Sequence, residues 1–427
     1  MGWKRRQTLV SALVCSLGAA GFIATATPMA YASSGPVQIT FATAFVTRYP
    51  IFVKIVKAFN ASHPGIHVTI EHEPGNTSML TKLLTELATG TAPNVVFQYG
   101  PWADQLASTK GIVPLNSFIA KSHYNLNVFY KDNLETDDVN GKIIALPGDN
   151  DNEAVFYNKK LFEKYHVPFP KPNWTWAQMV ATAKKLNHPK QKYYGMLEFI
   201  GDTEGVSVRY EPFLLQAGGH IVNAKATKAL FDSAAGLKAL TFLKDLEPYS
   251  DVVPRSEYED AFESGRVAMT FSGSWDVSTF AKDGIDYGVV QLPSPTPGGS
   301  HMTLAQPDLN LITQSTPAKE QASWTFLQYL DSEKSAAMLA APGHLSFRKD
   351  VVNNPLYKPT LAKYPVLKQF AQYANDATIR PKFPQYSEVS QDMATAVEMV
   401  LLHKASPAAA LKQEAQAADQ QLQSSAP

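Results

Sequence analysis

Five segments between residues 37 and 99 decide the fold: VQITFAT at 37–43, IFVKIVKAFN at 51–60, HVTIEHE at 67–73, SMLTKLLTELA at 78–88 and NVVFQY at 94–99. The first, third and fifth are short apolar or alternating runs, which are typical of strands. The second and fourth carry apolar residues at helical spacing along one face. Strands that alternate with helices predict a mostly parallel sheet covered by helices.

The same alternation continues through the middle of the chain, with further strands predicted at 142–145, 154–158, 194–199, 267–271 and 287–292. Thr175 is the predicted N-cap of a helix at 177–186. The stiff loop PSPTPGGS at 293–300 is the clearest internal boundary. A chain of 427 residues has room for two or three domains at roughly 150 residues each. The fold class is therefore α/β, with more than one domain.

The N-terminus has the pattern of a secretory signal peptide. Three basic residues at 4–6 precede an apolar run at 9–26, and Ala30-Tyr31-Ala32 is a small-residue cleavage site. We expect residues 1–32 to be removed after Ala32; the alternative is an uncleaved membrane anchor. The chain's one cysteine, Cys15, follows Val14, which suits a lipoprotein cleavage site poorly, so we do not expect lipidation.

Composition and motifs exclude several function classes. The 38 basic and 38 acidic residues leave no basic excess for nucleic acid. The sequence has no nucleophile elbow, phosphate-binding glycine loop or H-E-x-x-H motif. His63 and His67 have the spacing of helical metal ligands, but Pro64 and Gly65 interrupt the helix between them. We therefore expect no metal site and no cofactor.

Three acidic residues alternate in GDNDNE at 148–153, namely Asp149, Asp151 and Glu153. A calcium loop would need glycine and glutamate where Ala154 and Lys160 stand, so calcium is disfavoured. The remaining alternatives are a glycosidase acid/base pair, carboxylates that accept hydrogen bonds from sugar hydroxyls, and a solvated loop.

Aromatic residues follow the predicted strand ends, where ligands bind in open α/β sheets. They are Phe45, Tyr49, Tyr99, Trp102 and Trp275. An aromatic ring offers a flat apolar face to a sugar ring, although core packing explains any single aromatic as well. Trp275 stands out because Gly273, two residues earlier, permits close approach.

The segment AFESGRVAMTFSGSW at 261–275 resembles the F-x-x-G-x-x-A-M-x-x-x-G-x-W segment of extracellular solute-binding proteins. These are the sugar receptors of ATP-driven importers, the family that includes maltose-binding proteins. Four further regions resemble the family in the same order, at 146–159, 172–176, 287–299 and 319–348. The resemblance spans 37–424.

The resemblance implies two α/β lobes joined by a hinge around a ligand cleft. It places 36–148 and 303–350 in an N-terminal lobe, and 152–299 and 356–427 in a C-terminal lobe. Such a protein performs no catalysis. We expect an exported monomer, in the periplasm or at the outer face of the cytoplasmic membrane, that delivers a sugar to the permease of an ABC importer.

By position, the resemblance also implies a set of cleft residues. In it, Trp275 stacks on a sugar ring and Asp151 accepts a sugar hydroxyl. The full set is Thr43, Phe45, Arg48, Tyr99, Trp102, Asp104, Asp149, Asp151, Glu153, Arg209, Tyr210, Trp275, His344 and Arg348. Arginine at 209 is less usual for the family, so the substrate need not be a plain maltodextrin.

Two alternative functions stay open. A glycerol phosphate, phosphodiester or other polyol could bind if Arg48, Arg209 and Arg348 supplied the positive charge. A secreted carbohydrate-active enzyme would use the acidic residues at 149–153 as acid and base.

Overall fold

The computed structural model describes residues 35–424 except Pro74 and Asp283. The predicted signal peptide and Cys15 lie outside these residues. Among the residues that are described, no helix is long and apolar enough to cross a membrane.

The strands and helices alternate in the first part of the chain, as the hydrophobic pattern predicts. The strands are β1 (Val37–Thr43), β2 (Ile66–His72), β3 (Val95–Tyr99), β4 (Asp138–Val139), β5 (Lys142–Ile143), β6 (Ala145–Pro147), β7 (Asp151–Asn158), β8 (Met196–Ile200), β9 (Ser250–Pro254), β10 (Met269–Gly273), β11 (Tyr287–Val290), β12 (Thr303–Gln306), β13 (Asp308–Ile312) and β14 (Ala377–Thr378). The helices are α1 (Tyr49–Ser62), α2 (Asn76–Thr89), α3 (Ala103–Ser108), α4 (Asn116–Ser122), α5 (Lys131–Asp137), α6 (Lys159–Lys164), α7 (Trp176–Leu186), α8 (Thr203–Gln216), α9 (Ala234–Leu246), α10 (Tyr258–Glu263), α11 (Val277–Lys282), α12 (Pro317–Leu330), α13 (Glu333–Ala340), α14 (Lys358–Lys363), α15 (Leu367–Tyr373), α16 (Tyr386–Leu401) and α17 (Pro407–Ser424).

The first sheet has the strand order β2-β1-β3-β13-β6. β1 is parallel to β2 and β3, and β13 is antiparallel to β3 and β6. Helices α1, α12 and α13 cover one face, where Phe41 packs against Phe52 and Phe326 with ring centroids 5.2 and 5.4 Å apart. We call this sheet and its helices the first lobe.

The second sheet has the order β14-β12-β7-β10-β8-β9, and β11 also pairs with β7. β7 is antiparallel to β10, β11 and β12, whereas β8 is parallel to β9 and β10. The sheet is therefore mixed. We call this sheet and its helices the second lobe. β4 and β5 form a separate two-stranded ribbon.

The chain passes from the first sheet to the second at 148–150 and returns at Pro307, between β12 and β13. The family resemblance implies that residues 303–306 belong to the N-terminal lobe. Their pairing differs, because Ala305 is the register partner of Asn152 and Thr303 that of Ala377, both in the second sheet. The other lobe boundaries remain a prediction.

Helix starts in the second lobe follow side-chain caps. The predicted N-cap Thr175 is confirmed: Gln178 N donates to its Oγ1 at 3.3 Å, and Thr175 N donates to Gln178 Oε1 at 2.8 Å. The hydrophobic pattern predicts the next helix at 209–216, but helix α8 begins at Thr203, six residues earlier. Asp202 caps it there by accepting from Gly205 N at 3.3 Å. The longer helix carries Arg209 in its interior.

Candidate functional site

A cavity of about 860 Å³ lies between strand ends of the two sheets. From the first lobe, Phe45 lines it two residues after β1, and Tyr99 lines it as the last residue of β3. From the second lobe, Trp275 lines it two residues after β10. The predicted position of a site, at the carboxyl ends of strands, therefore corresponds to an actual cavity.

The three rings are held in defined positions. Phe45 packs edge-on against Phe97, with centroids 4.8 Å apart. Tyr99 donates its hydroxyl hydrogen to Gln306 Oε1 at 3.0 Å. The Trp275 ring lies against Gly273, where an added Cβ would stand 2.1 Å from Cζ3 of the indole. Gly273 therefore permits this ring position, as the sequence predicted.

A buried charge cluster joins the two lobes at the cavity. Arg48, which follows β1, contacts the carboxylates of both Asp149 and Asp151, the latter at 3.0 Å. Arg48 Nη2 also lies 3.1 Å from His344 Nδ1. Ser274 Oγ, next to Trp275, donates to Asp151 Oδ1.

The two aspartates share one guanidinium, and their pKa values shift in opposite directions. Burial opposes ionisation of Asp151, but hydrogen bonding with His344 and the charge of Arg48 hold the pKa of Asp151 below its ordinary range. The pKa of Asp149 is raised well above its ordinary value by burial and by the nearby charge of Asp151. Like charges this close do not both ionise readily, which is why the pKa of one aspartate rises while that of the other falls.

Arg209 is a second buried cation in the cavity wall. Its guanidinium lies over the rings of Phe199 and Tyr258, at 4.0 and 4.6 Å from their centroids, and Nη2 donates to Phe271 O at 2.8 Å. Its Nη1 is buried and has no hydrogen-bond partner among the described residues. Arg209 therefore has a donor available for a ligand.

Two carboxyl groups of the cavity wall have strongly raised pKa values. Burial raises the pKa of Glu153 to about 8, against the opposing charges of Arg209 and Arg380. Burial likewise raises the pKa of Asp308 to about 8, against the charge of Arg48. Protonated carboxyls donate as well as accept hydrogen bonds, which suits a ligand with hydroxyl groups.

The family model for bacterial extracellular solute-binding proteins matches residues 54–369. This chain belongs to that family. A binding protein of Brucella abortus is 26% identical to this solute-binding protein. The alignment covers 94% of this chain and 97% of the relative.

Solved structures of similar fold hold different ligands. A solute-binding protein of Thermotoga lettingae bound with α-D-tagatose is 26% identical and has a TM-score of 0.79. The match covers 91% of this chain and 100% of that protein. UgpB of Mycobacterium tuberculosis in complex with glycerophosphocholine has a TM-score of 0.81 at 15% identity, with coverage of 91% and 98%. The second likeness shows the fold alone, a two-lobed α/β architecture.

Nine of the predicted site residues of this solute-binding protein line the cavity. They are Phe45, Arg48, Tyr99, Asp149, Asp151, Glu153, Arg209, Trp275 and His344. They come from six separate stretches of the chain, which the fold brings to one place.

Five predicted residues do not line the cavity. Thr43 is buried, and its Oγ1 accepts from Phe45 N at 3.2 Å within the turn. Trp102 is 1% exposed and packs edge-on behind Tyr99. Asp104 lies in the first turn of α3, beyond Trp102. Successive side chains at the end of a strand point in different directions. The sequence pattern does not show which of them face the cavity.

The other two are bonded elsewhere. Tyr210 is fully buried and donates to Phe231 O at 3.3 Å, because its side chain leaves α8 on a different face from that of Arg209. Arg348 pairs with Asp350 and donates to Asp331 O at 2.8 Å.

Several cavity residues were missed by the sequence analysis, among them Phe199, Glu204, Tyr258, Asp276, Gln306 and Asp308. Gln306 and Asp308 flank the return crossing at Pro307, whereas the family resemblance implies this crossing near 297–304. Glu204 lies in the part of α8 that precedes the predicted start. The cap at Asp202 was the signal that could have extended the helix to include it.

Proposed function

We propose that this solute-binding protein captures a neutral oligosaccharide between its lobes and delivers it to the permease of an ABC importer. The observation that carries the proposal is the pairing of aromatic rings with buried polar groups in one cavity. Phe45, Tyr99 and Trp275 offer flat faces, while Glu153 and Arg209 offer hydrogen bonds. The protein acts as an exported monomer and catalyses no reaction.

The cavity volume supports a ligand of more than one ring. Small-molecule sites span about 300–1,000 Å³, and the cavity of about 860 Å³ lies in the upper part of that range. Residues of both lobes line the cavity, which suits closure around the ligand by a hinge motion.

The arginines disfavour a phosphodiester. Arg48 is already paired with two aspartates, and Arg348 lies outside the cavity lining and pairs with Asp350. Arg209 has one available donor, and the rest of its guanidinium packs on Phe199 and Tyr258 and donates to Phe271 O. The cavity therefore offers a phosphate group no cluster of arginines that are free of acidic partners.

An enzyme that uses the acidic residues at 149–153 is also disfavoured. Arg48 contacts both Asp149 and Asp151, and Asp151 is further bonded to Ser274. A glycosidase needs two carboxyls that flank the scissile bond and are available for proton transfer or attack. Asp151 has neither the exposure nor the unfilled acceptor positions for that role.

A thermal-shift screen of the chain from Ser33 onward tests the function. Maltose, maltotriose, α-D-tagatose and glycerophosphocholine are each added in excess. Ligand at about 100 times its Kd adds about 2.7 kcal/mol to the free energy of unfolding. We expect the largest rise in Tm with an oligosaccharide. A rise with glycerophosphocholine alone, or release of hydrolysis products from the oligosaccharides, would overturn the proposal.

Trp275→Ala tests the proposed stacking. Loss of a buried aromatic contact should weaken saccharide binding by at least about 2 kcal/mol, or roughly 30-fold in Kd, as measured by calorimetry. Val46→Ala is the control at the cavity rim, since Val46 is 63% exposed. Unchanged affinity in Trp275→Ala would remove the indole from the site.

A further inference from the structure

Asp151 is bonded from both lobes at once. Arg48 Nη2 donates to its Oδ2 at 3.0 Å from the first lobe, and Leu345 N, in the segment after α13, donates to its Oδ1 at 3.4 Å. Ser274 Oγ donates to Oδ1 from the second lobe. His344 Nδ1 lies 3.4 Å from Oδ2. The carboxylate is thus surrounded by protein groups.

These bonds leave little of Asp151 for a ligand. The residue is 2% exposed, and each carboxylate oxygen already has two polar neighbours from the protein. An ionised carboxylate has about four acceptor positions in total. A sugar hydroxyl would have to displace one of these buried partners, which leaves a buried group unsatisfied at a cost of about 1–3 kcal/mol.

The bond from Ser274 connects Asp151 to the indole. Ser274 is fully buried and immediately precedes Trp275 in the turn that ends β10. Gly273 on the other side of Ser274 is the residue on which the Trp275 ring lies. Movement of Ser274 would therefore move both the Trp275 ring and Gly273, on which the ring lies.

We propose that Asp151 is a positioning residue for Trp275 and does not itself contact the saccharide. It holds the turn at 274–276 against Arg48, and so places an aromatic ring of the second lobe opposite Phe45 of the first. The part of this inference that concerns saccharide affinity rests on the proposed function. The part that concerns the position of Trp275 does not.

Acrylamide quenching of tryptophan fluorescence tests the position of Trp275 without any saccharide. The experiment uses the chain from Ser33 onward, which lacks Trp3. In that chain Trp102, Trp174, Trp176 and Trp324 are all at most 5% exposed, whereas Trp275 is half-buried. Ser274→Ala should at least double the fraction of fluorescence that acrylamide quenches. Asp151→Asn should do the same, and the double variant should add little, because both changes release one bond.

Two controls separate positioning from general loosening. In a Trp275→Phe background the increase in quenching should vanish. Ser207→Ala removes another buried serine that donates to a carboxylate, that of Glu211 at 2.9 Å, and it should leave quenching unchanged. Quenching that stays at the wild-type level in Ser274→Ala and Asp151→Asn would overturn the proposal.

The affinity arm uses the saccharide that gives the largest Tm rise in the screen. Ser274→Ala and Asp151→Asn should each weaken binding about 10-fold, and neither should weaken it further when Trp275 is already alanine. A further 10-fold loss from Asp151→Asn in that background would show direct contact and overturn the proposal. If no saccharide raises Tm, the proposed function fails while the quenching result still decides the position of Trp275.

Discussion

Gly273 permits the position of the Trp275 ring because it has no Cβ. A Cβ at this position would lie 2.1 Å from the Trp275 ring, while its φ of −113° suits any residue. Gly273→Ala should therefore displace the indole without backbone strain and weaken saccharide binding at least about 10-fold in calorimetry, which is about 1.4 kcal/mol. Gly65→Ala, where an added Cβ meets nothing within 4 Å, is the control. Wild-type affinity in Gly273→Ala would contradict this account of the ring's position.

Glu153 should make stability depend on pH. Burial raises its pKa from 4.5 to about 8, so the folded protein binds more protons than the unfolded chain between these values. Its contribution to stability is complete below pH 4.5 and is lost as pH rises through 8. One such proton changes the free energy of unfolding by at most about 1.4 kcal/mol per pH unit.

Glu153→Gln should remove this part of the pH dependence. Urea unfolding at pH 5, 6, 7 and 8 would show a smaller fall in the free energy of unfolding for the variant than for the wild type. Other buried carboxyls with raised pKa values, such as Asp308, Glu198 and Glu211, contribute to the remaining slope. Parallel curves for the two proteins would show that Glu153 is ionised in the folded state at neutral pH.

At the scale of single elements, the N-cap of α7 contributes measurably to the free energy of unfolding. Thr175→Ala removes the acceptor for Gln178 N and should lower the free energy of unfolding by about 1 kcal/mol. Thr182→Ala, in the exposed interior of the same helix, is the matched control, because its hydroxyl only donates to Gln178 O. Chemical denaturation measures both. Equal losses in the two variants would show that the capping box contributes nothing.

The elements differ in how far the sequence predicts them. The strands and helices of residues 37–99 follow from hydrophobic spacing, and the cap at Thr175 follows from residue type. β12 does not, because it has four residues and its partner in β7 lies about 150 positions earlier. Pairing at that distance depends on the assembled fold.

The site shows the same division. Trp275 could be singled out because Gly273 is its close neighbour in sequence. The bonding of Asp151 could not, because Arg48 is 103 residues before it and Ser274 is 123 residues after it. Family resemblance marks Asp151 as important, but only the assembled contacts show that its acceptor positions are filled.

For the whole molecule, saccharide binding should bring the lobes together. The chain after residue 15 has no cysteine, so dyes can be attached at Lys57→Cys in α1 and Lys225→Cys in the second lobe, both exposed sites. We expect energy transfer between the dyes to rise with saccharide concentration. The same pair in a Trp275→Ala chain is the control, in which the rise should need at least about tenfold more saccharide. Constant transfer at saturation would argue for a rigid cavity.

The return crossing at Pro307 sets a limit on how such closure can occur. Gly100 lies directly against the carbonyl oxygen of Pro307, so close that an added Cβ would stand 1.9 Å from it. The proline ring also fixes φ near −65°. The close packing on Gly100 and the fixed φ of Pro307 therefore restrict backbone rotation at this crossing. This restriction exists before any solute binds, and it limits the directions in which the two lobes can turn at Pro307.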